Sequence, residues 1–90
     1  MKLDDLRHQI DSVDTRIMQL LAERQQLSAA IGEEKARRGQ AVTDNMREAV
    51  VMSRIRQMAQ ELGLDVATIE SIYHHIITAS KSVQGQKEQP

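Results

Sequence analysis

The stretch from residue 3 to residue 38 carries the pattern that most restricts the fold. Its apolar residues are spaced alternately by three and four, as in a heptad seam, and they are Leu3, Leu6, Ile10, Val13, Ile17, Leu20, Leu27 and Ile31. The pattern predicts one helix over residues 3–38, which would be about 54 Å long. A globule of 90 residues is only about 25–30 Å across. Because such a helix cannot be covered by its own chain, we predict a homodimer in which two copies cross.

The composition agrees with a helical chain that shares its core with a partner. The sequence has no Phe or Trp and one Tyr, Tyr73, although large aromatic side chains usually dominate core energetics. A lone domain of this size is marginally stable, since it buries only about 60–65% of the surface that its unfolded chain exposes. The other apolar residues are Leu, Ile, Val, Met and Ala, which suit the seams between helices. This composition favours a core completed by a second subunit.

Charge and residue usage exclude several classes of function. The formal net charge is −1, with charges of both signs interspersed, so no basic field is present to bind nucleic acid. The absence of Cys excludes disulfides and thiolate metal sites. No apolar run approaches about 20 residues, and the first residues lack the apolar core of a signal peptide. We therefore expect a cytoplasmic protein that binds neither nucleic acid nor membranes.

The remainder of the chain predicts two shorter helices and a tail. Helical spacing of apolar residues predicts helix two over residues 45–62 and helix three over residues 66–84. Residues 85–90 are polar and predict a disordered tail. The expected fold is all-α, with one domain over residues 1–84. One very long and two shorter helices per chain would form an intertwined homodimeric helical bundle.

Three cations on the first helix do not fit a simple seam. Arg24 stands between Leu20 and Leu27, where the pattern requires an apolar residue, and a buried arginine is costly unless it is paired. Arg24 is either a register-setting or surface residue or a cation that faces an enclosed anion. Lys35 returns to nearly the same helix face, so the two could hold a small dianion between them. Arg7 is about 25 Å from Arg24 and about 100° off that face, so it is either a solvated charge or a residue that reaches a partner's site.

The two shorter helices carry polar residues that also need explaining. Asp44 is a good N-cap and Glu48 suits the helix dipole, whereas neither reason explains Arg47. Ser80 and Gln84 are spaced i, i+4 on an otherwise apolar side of helix three. Buried polar side chains need partners. These two therefore either face a ligand or lie where the helix end is already solvated.

Together these segments resemble the all-helical chorismate mutase family. The matching segments are Leu6-Arg7, LLAER ending at Arg24, IGEEK ending at Lys35, VTDNMRE and IITAS. Each is short and weak alone, while their order and spacing are specific. The resemblance extends from LRHQID near the start of the chain to IITASKSVQ near its end.

The resemblance assigns the first-helix cations to the two carboxylates of chorismate. Arg7 matches the arginine that the partner subunit donates to a substrate carboxylate. Arg24 matches the arginine that binds a carboxylate within the same subunit. Lys35 matches the lysine that contacts the ether oxygen and a carboxylate. Neither subunit would then own a complete active site.

The resemblance assigns the polar residues of the other helices to the rest of the substrate. Asp44, Arg47 and Glu48 match the segment around the substrate hydroxyl. Ser80 matches a hydroxyl near a carboxylate, and Gln84 matches the second donor to the ether oxygen. Of these substrate-binding positions, the catalytic ones are expected to be Arg24, Lys35, Glu48 and Gln84.

The activity implied is the rearrangement of chorismate to prephenate, an isomerase reaction of phenylalanine and tyrosine biosynthesis. The step is pericyclic and needs no nucleophile, metal or cofactor, and the sequence offers no obvious one. Arg7 and Arg24 would hold the reactive conformer, while Lys35 and Gln84 would stabilise charge on the ether oxygen. A neutral amide donates at any pH, so we expect a broad pH optimum.

Three other functions remain open from the sequence. Isochorismate pyruvate lyases and aminodeoxychorismate mutases use similar cationic clamps on the same fold. A non-catalytic regulatory helical dimer is a different class, although a plain interaction module should keep an apolar residue at position 24. A partner enzyme of the shikimate pathway that raises the activity is also compatible with the sequence.

Overall fold

The computed structural model describes residues 2–86, which form three helices. They are α1 (Leu3–Arg37), α2 (Asn45–Glu61) and α3 (Val66–Gln86). Within the described residues, α3 packs against both α1 and α2, while α1 and α2 do not pack on each other. The prediction of an all-α chain with one very long and two shorter helices is confirmed. None of these helices is long and apolar enough to cross a membrane.

Gly39 follows α1, and the chain after it reverses direction and lies beside the last turn of the helix. Gly39 has a φ of 66°, a left-handed conformation that costs glycine little. The backbone N–H of Gln40 donates to the carbonyl of Lys35 at 2.8 Å, as in a Schellman-type helix end. Residues 40–44 therefore start beside the C-terminal turn of α1, where Lys35 lies.

An aspartate immediately precedes and caps each of the two shorter helices. The Asp44 carboxylate accepts a hydrogen bond from the backbone N–H of Arg47 at 3.0 Å. The Asp65 carboxylate accepts from the hydroxyl of Thr68 at 2.6 Å and from its backbone N–H at 3.0 Å. These hydrogen bonds lower the pKa of Asp65 below its ordinary value of 3.8. Both caps satisfy backbone donors that a helix start leaves unpaired.

The third helix continues past its predicted end. It includes Gly85 and Gln86, whereas the sequence pattern places both in the tail. Gly85 is not in the left-handed conformation, so it continues the helix instead of capping it. The predicted disorder of residues 87–90 lies outside the described residues.

The core of the single chain is small. Among the described residues, the buried apolar ones are Val51, Met52, Ile55 and Ala59, all on α2. The helical spacing of Val51, Ile55, Met58 and Leu62 predicts one apolar face, but Met58 and Leu62 are exposed. Their exposure follows from the way α2 packs: α3 covers the side of α2 that carries positions 51, 52, 55 and 59.

The apolar seam of α1 lacks a cover in the single chain. Its eight apolar residues, from Leu3 to Ile31, are between 39% and 62% exposed. The chain measures 55 × 26 × 15 Å, with a radius of gyration of 16.3 Å, against about 12 Å for a compact domain of this length. Exposed apolar surface of this extent marks an interaction face.

Candidate active site

One pocket of about 370 Å³ lies among the three helices and the loop between α1 and α2. Its polar lining consists of Arg24, Ser28, Lys35, Asp44, Arg47, Glu48, Arg54, Ser80, Lys81 and Gln84. Its apolar lining consists of Leu27, Ile31, Val42, Val51 and Ile77. The volume is within the range of small-molecule sites, about 300–1,000 Å³. Seven of the eight predicted site residues lie in this lining, and Arg7 is the exception.

The α1 wall is formed by residues spaced four, three and four apart. Arg24, Ser28, Ile31 and Lys35 lie on one face of the helix, as that spacing requires. The seam residues Leu27 and Ile31 line the pocket beside Arg24, so this end of the seam borders the cleft. The sequence anomaly at position 24 therefore has a structural explanation, in which the arginine faces a cleft and not a dry seam.

Lys35 and Gln84 are joined at the pocket wall. The Lys35 ammonium Nζ donates to the amide Oε1 of Gln84 at 2.9 Å and to the carbonyl of Val42 at 2.7 Å. An ammonium has three donors, so one N–H remains. Because Oε1 accepts from Lys35, the amide group of Gln84 presents Nε2 as its other polar atom, and no described residue accepts from it. Two donors from different helices are thus left beside the cavity.

Gly32 allows this pairing by bringing α1 and α3 close together. A Cβ at position 32 would lie 2.8 Å from Cα and 3.0 Å from the carbonyl oxygen of Gln84. Both distances are shorter than ordinary carbon contacts of about 3.5–4.0 Å. Glycine in a helix interior costs about 1 kcal/mol relative to alanine. The helix carries this cost because only glycine at position 32 leaves room for Gln84, which is only 6% exposed, to lie against Lys35.

A hydroxyl pair lies on the same side of the pocket. The Ser28 and Ser80 hydroxyls are 2.5 Å apart in a hydrogen bond in which either can donate. Ser28 is 4% exposed and is satisfied by this bond. When Ser28 donates, the Ser80 proton is free for a ligand in the pocket. The two helices α1 and α3 thus meet here through polar groups as well as at Gly32.

The α2 wall contributes charges of both signs. The Asp44 carboxylate is used as the helix cap, while the adjoining first turn carries Arg47 and Glu48. The Glu48 carboxylate Oε1 lies 2.9 Å from the ammonium Nζ of Lys81 on α3. Their side chains are 26% and 37% exposed, respectively. This ion pair crosses from α2 to α3 at the edge of the pocket.

The pocket is strongly cationic. Five of its lining residues are Lys or Arg, and two are acidic. Within residues 2–86, no carboxylate pairs with the guanidinium of Arg24, Arg47 or Arg54. Unpaired cations around a partly enclosed cavity favour an anionic ligand. The described residues contain no group of three His, Cys, Asp or Glu side chains placed to hold a metal ion.

Arg7 lies away from this pocket in its own chain. It is in the first turns of α1, where its guanidinium is 3.9 Å from the Asp4 carboxylate and its side chain is 69% exposed. It is seventeen residues before Arg24 on a straight helix, about 25 Å along the axis. Arg7 therefore cannot contribute to the site formed by its own Arg24 and Lys35.

Comparison with known proteins agrees with this arrangement. The sequence model of the family described as Chorismate mutase type II matches residues 6–85. The chain belongs to this family. The resemblance that the sequence motifs indicate is thereby confirmed, and the matched range contains every one of the eight predicted site residues.

Individual relatives differ greatly in length. The T-protein of Enterobacter agglomerans is 36% identical over 86 residues, which are 96% of this chain and 23% of that protein. The chorismate mutase of Methanocaldococcus jannaschii is 33% identical over 85 residues, which are 94% of this chain and 86% of that protein. A bifunctional chorismate mutase/prephenate dehydratase of Buchnera aphidicola is 30% identical over 78 residues, 87% of this chain and 20% of that protein. The chain thus spans about a quarter or less of the longer relatives and most of the shorter one.

Three polar residues of the pocket lining, Ser28, Arg54 and Lys81, are not among the predicted site residues, and neither is Gly32 beside them. Ser28 follows Arg24 by one turn on the same face, so its spacing was a usable signal. Arg54 and Lys81 carry no such signal, because surface helices are rich in cations. Gly32 is visible in the sequence as an unfavourable residue inside a helix, but only the distance to α3 explains its presence.

Proposed function

We propose that the protein is a chorismate mutase that converts chorismate to prephenate. The observation that carries this proposal is one pocket whose lining contains the cations Arg24 and Lys35 together with Ser80 and Gln84. Chorismate is a small dianion, and the pocket combines excess positive charge with a volume of about 370 Å³. The family and the relative of similar length named chorismate mutase support the same activity.

The first contribution to catalysis is restraint of the substrate. Arg24 holds one carboxylate, and Ser80 adds a hydrogen bond when its own hydroxyl accepts from Ser28. Holding the two reacting ends of one molecule together lowers the activation free energy, because the entropy of orientation is already lost on binding. Glu48, steadied by Lys81, accepts a hydrogen bond from the ring hydroxyl, with Asp44 and Arg47 beside it.

The second contribution is electrostatic. As the ether bond breaks, negative charge develops on its oxygen, and donors already in place stabilise that charge more than they stabilise the ground state. The remaining N–H of Lys35 and the Nε2 group of Gln84 are such donors. Their mutual hydrogen bond of 2.9 Å keeps them together before the substrate arrives, so little reorganisation is needed.

The third contribution comes from a second copy of the chain. The exposed seam of α1 supports a homodimer in which Arg7 of the partner subunit reaches the second carboxylate. A cytoplasmic location and a partner enzyme of the shikimate pathway stay predictions from the sequence.

The test is loss of chorismate absorbance on addition of the purified protein, with prephenate identified as the product. Arg24→Ala is expected to lower kcat/KM by at least about 100-fold, the usual loss when a donor to developing or bound charge is removed. Arg37→Ala is the matched control, because Arg37 lies on the same helix, outside the pocket, and pairs with Glu34. It should retain the parent's turnover.

Sedimentation of both variants shows whether assembly is intact. Full turnover by Arg24→Ala, or turnover of isochorismate or aminodeoxychorismate in place of chorismate by the parent protein, would contradict the proposal. Each substrate is therefore assayed separately, with pyruvate release as the sign of a lyase.

A further inference from the structure

Binding of the ring hydroxyl by Glu48 does not by itself require the ion pair between Glu48 and Lys81. Its 2.9 Å contact places an ammonium directly on the carboxylate that the proposed function assigns to the ring hydroxyl. Both side chains line the pocket, so the pair lies at the substrate's edge and not on a remote surface. A carboxylate alone would suffice to accept a hydrogen bond from a hydroxyl.

A lone carboxylate would not favour a hydroxyl over an ammonium. It accepts a hydrogen bond from either, and it attracts the ammonium more strongly because of the charge. Lys81 changes this balance, since it neutralises Glu48 and stands within a few ångströms of any group that Glu48 contacts. An ammonium on the substrate would meet a paired carboxylate and a like charge.

The other charges around Glu48 act in the same direction. In the active-site pocket, Arg24 and Lys35 on α1, and Arg47 and Arg54 on α2, are all cationic, while Asp44 is committed to the helix cap. Arg56 lines a second pocket with Glu48 and Lys81, and its charge is paired with Glu70. Of the described residues, Lys81 is the one that forms an ion pair with Glu48. Removing the Lys81 ammonium therefore leaves the Glu48 carboxylate without its ion-pair partner.

We propose that Lys81 is a specificity-determining residue: through its ion pair with Glu48, it makes the pocket select a substrate with a neutral ring hydroxyl over an amino analogue that carries an ammonium there. This inference rests on the proposed function and adds the basis for substrate choice. Lys81 acts through Glu48 and is a positioning residue in this respect.

The experiment compares chorismate with 4-amino-4-deoxychorismate on the same enzyme preparation. The quantity measured is the ratio of the two kcat/KM values, and the binding of the amino analogue is measured independently by its inhibition of chorismate turnover. Because both substrates see the same preparation, any loss of folded protein cancels from the ratio. A merely structural role for Lys81 would leave this ratio unchanged.

The decisive variant is Lys81→Met, which keeps much of the side-chain length and removes the charge. The parent protein is expected to prefer chorismate, and Lys81→Met should shift the ratio toward the amino analogue by about tenfold, allowing for solvent screening of a partly exposed pair. Lys81→Arg keeps the charge and should keep the ratio within about threefold of the parent's value.

A matched control is offered by the second ion pair that joins α2 to α3. Arg56 pairs with Glu70 at 2.5 Å, about two turns along α2 from Glu48. It does not line the active-site pocket, although it lines a second pocket with Glu48 and Lys81. Arg56→Met therefore removes a nearby α2–α3 ion pair and a nearby positive charge while the pair of Glu48 with Lys81 stays in place. Its ratio should equal that of the parent.

The outcomes separate the two proposals. If the parent turns over chorismate and Lys81→Met leaves the ratio within twofold, or Arg56→Met moves it as far, the specificity inference is overturned while the activity stands. A parent that prefers the amino analogue overturns it as well. If the parent turns over neither compound, the proposed function fails and the inference fails with it.

Discussion

At the residue scale, the hydrogen bonds of Lys35 and Gln84 determine which of their polar atoms remain available to a ligand. The carbonyl of Val42 and the amide oxygen of Gln84 accept hydrogen bonds from two of the three N–H groups of the Lys35 ammonium. The same contact orients the amide of Gln84, so that nitrogen, not oxygen, is left for a ligand. A neutral amide remains a donor at every pH, whereas an acid donates only when it is protonated.

Gln84→Glu should convert this pH-independent donor into a pH-dependent one. A carboxyl group is ordinarily ionised at neutral pH, and the carboxylate would repel the charge that develops on the ether oxygen. We expect kcat/KM to fall by about 100-fold at pH 7 and to rise about tenfold for each pH unit lowered toward pH 5. The parent should have a broad profile between about pH 5 and pH 8.

The measurement is the initial rate of chorismate loss across that pH range, with melting followed in the same buffers. Gln84→Met is the matched control, because it has similar length and no donor at any pH. Its activity should be low and flat. A Gln84→Glu profile that is equally flat would show that donation from position 84 does not limit the reaction.

The sequence could predict those site residues whose presence contradicts their local pattern. Arg24 in an apolar seam and Gln84 on an apolar helix face were visible for this reason. Lys81 was not, because an exposed lysine on a helix fits the ordinary pattern. Its contribution depends on the distance to Glu48, a residue 33 positions earlier in the chain. Sequence periodicity describes single helices and carries no such distance between them.

At the element scale, the helices follow directly from periodicity and capping, while their spacing does not. The spacing of apolar residues predicts both ends of α1, α2 and α3 within two residues of the observed ends. The approach of α1 to α3 depends on Gly32, whose missing Cβ lets the backbone of Gln84 come near. The geometry of the donor pair is therefore a property of two helices together.

Gly32→Ala should lower activity even though alanine is the better helix former. Its Cβ would lie 2.8 Å from Cα of Gln84, so α3 must move by several tenths of an ångström. A misplacement approaching 1 Å can cost about 100-fold in rate, and we expect kcat/KM to fall by about 10- to 100-fold. Overpacking costs about 1–3 kcal/mol, which exceeds the gain of up to about 1 kcal/mol in helix propensity.

Kinetics and thermal melting at one protein concentration check this prediction. Gly85→Ala is the matched control, because it is the same substitution in α3 with nothing within 4 Å of the added Cβ. It should melt no lower than the parent and retain its activity. Parental turnover by Gly32→Ala would mean that the close approach of the helices is not needed for catalysis.

At the scale of the whole molecule, the single chain has a pocket but only a small core. Its buried apolar residues come from α2, while the long seam of α1 stays exposed and the radius of gyration is 16.3 Å. A partner along α1 would cover that seam. By the same placement it would bring Arg7 of the partner subunit across the distance that Arg7 cannot cross in its own chain. Stability and activity are then expected to depend on the same association.

Two inactive variants should restore each other's activity if the site is shared in this way. Arg7→Ala and Arg24→Ala are each expected to be inactive as homodimers. In a mixed dimer, one site has Arg24 from the first subunit and Arg7 from the second, while the other site lacks both. Random refolding of equal amounts makes about half of the dimers mixed, so about a quarter of the parent's activity should return.

Two copies of Arg24→Ala with different tags provide the control, since remixing them should restore nothing. If Arg7→Ala is fully active alone, or if the mixture stays inactive although mixed dimers form, each subunit works without the other's arginine.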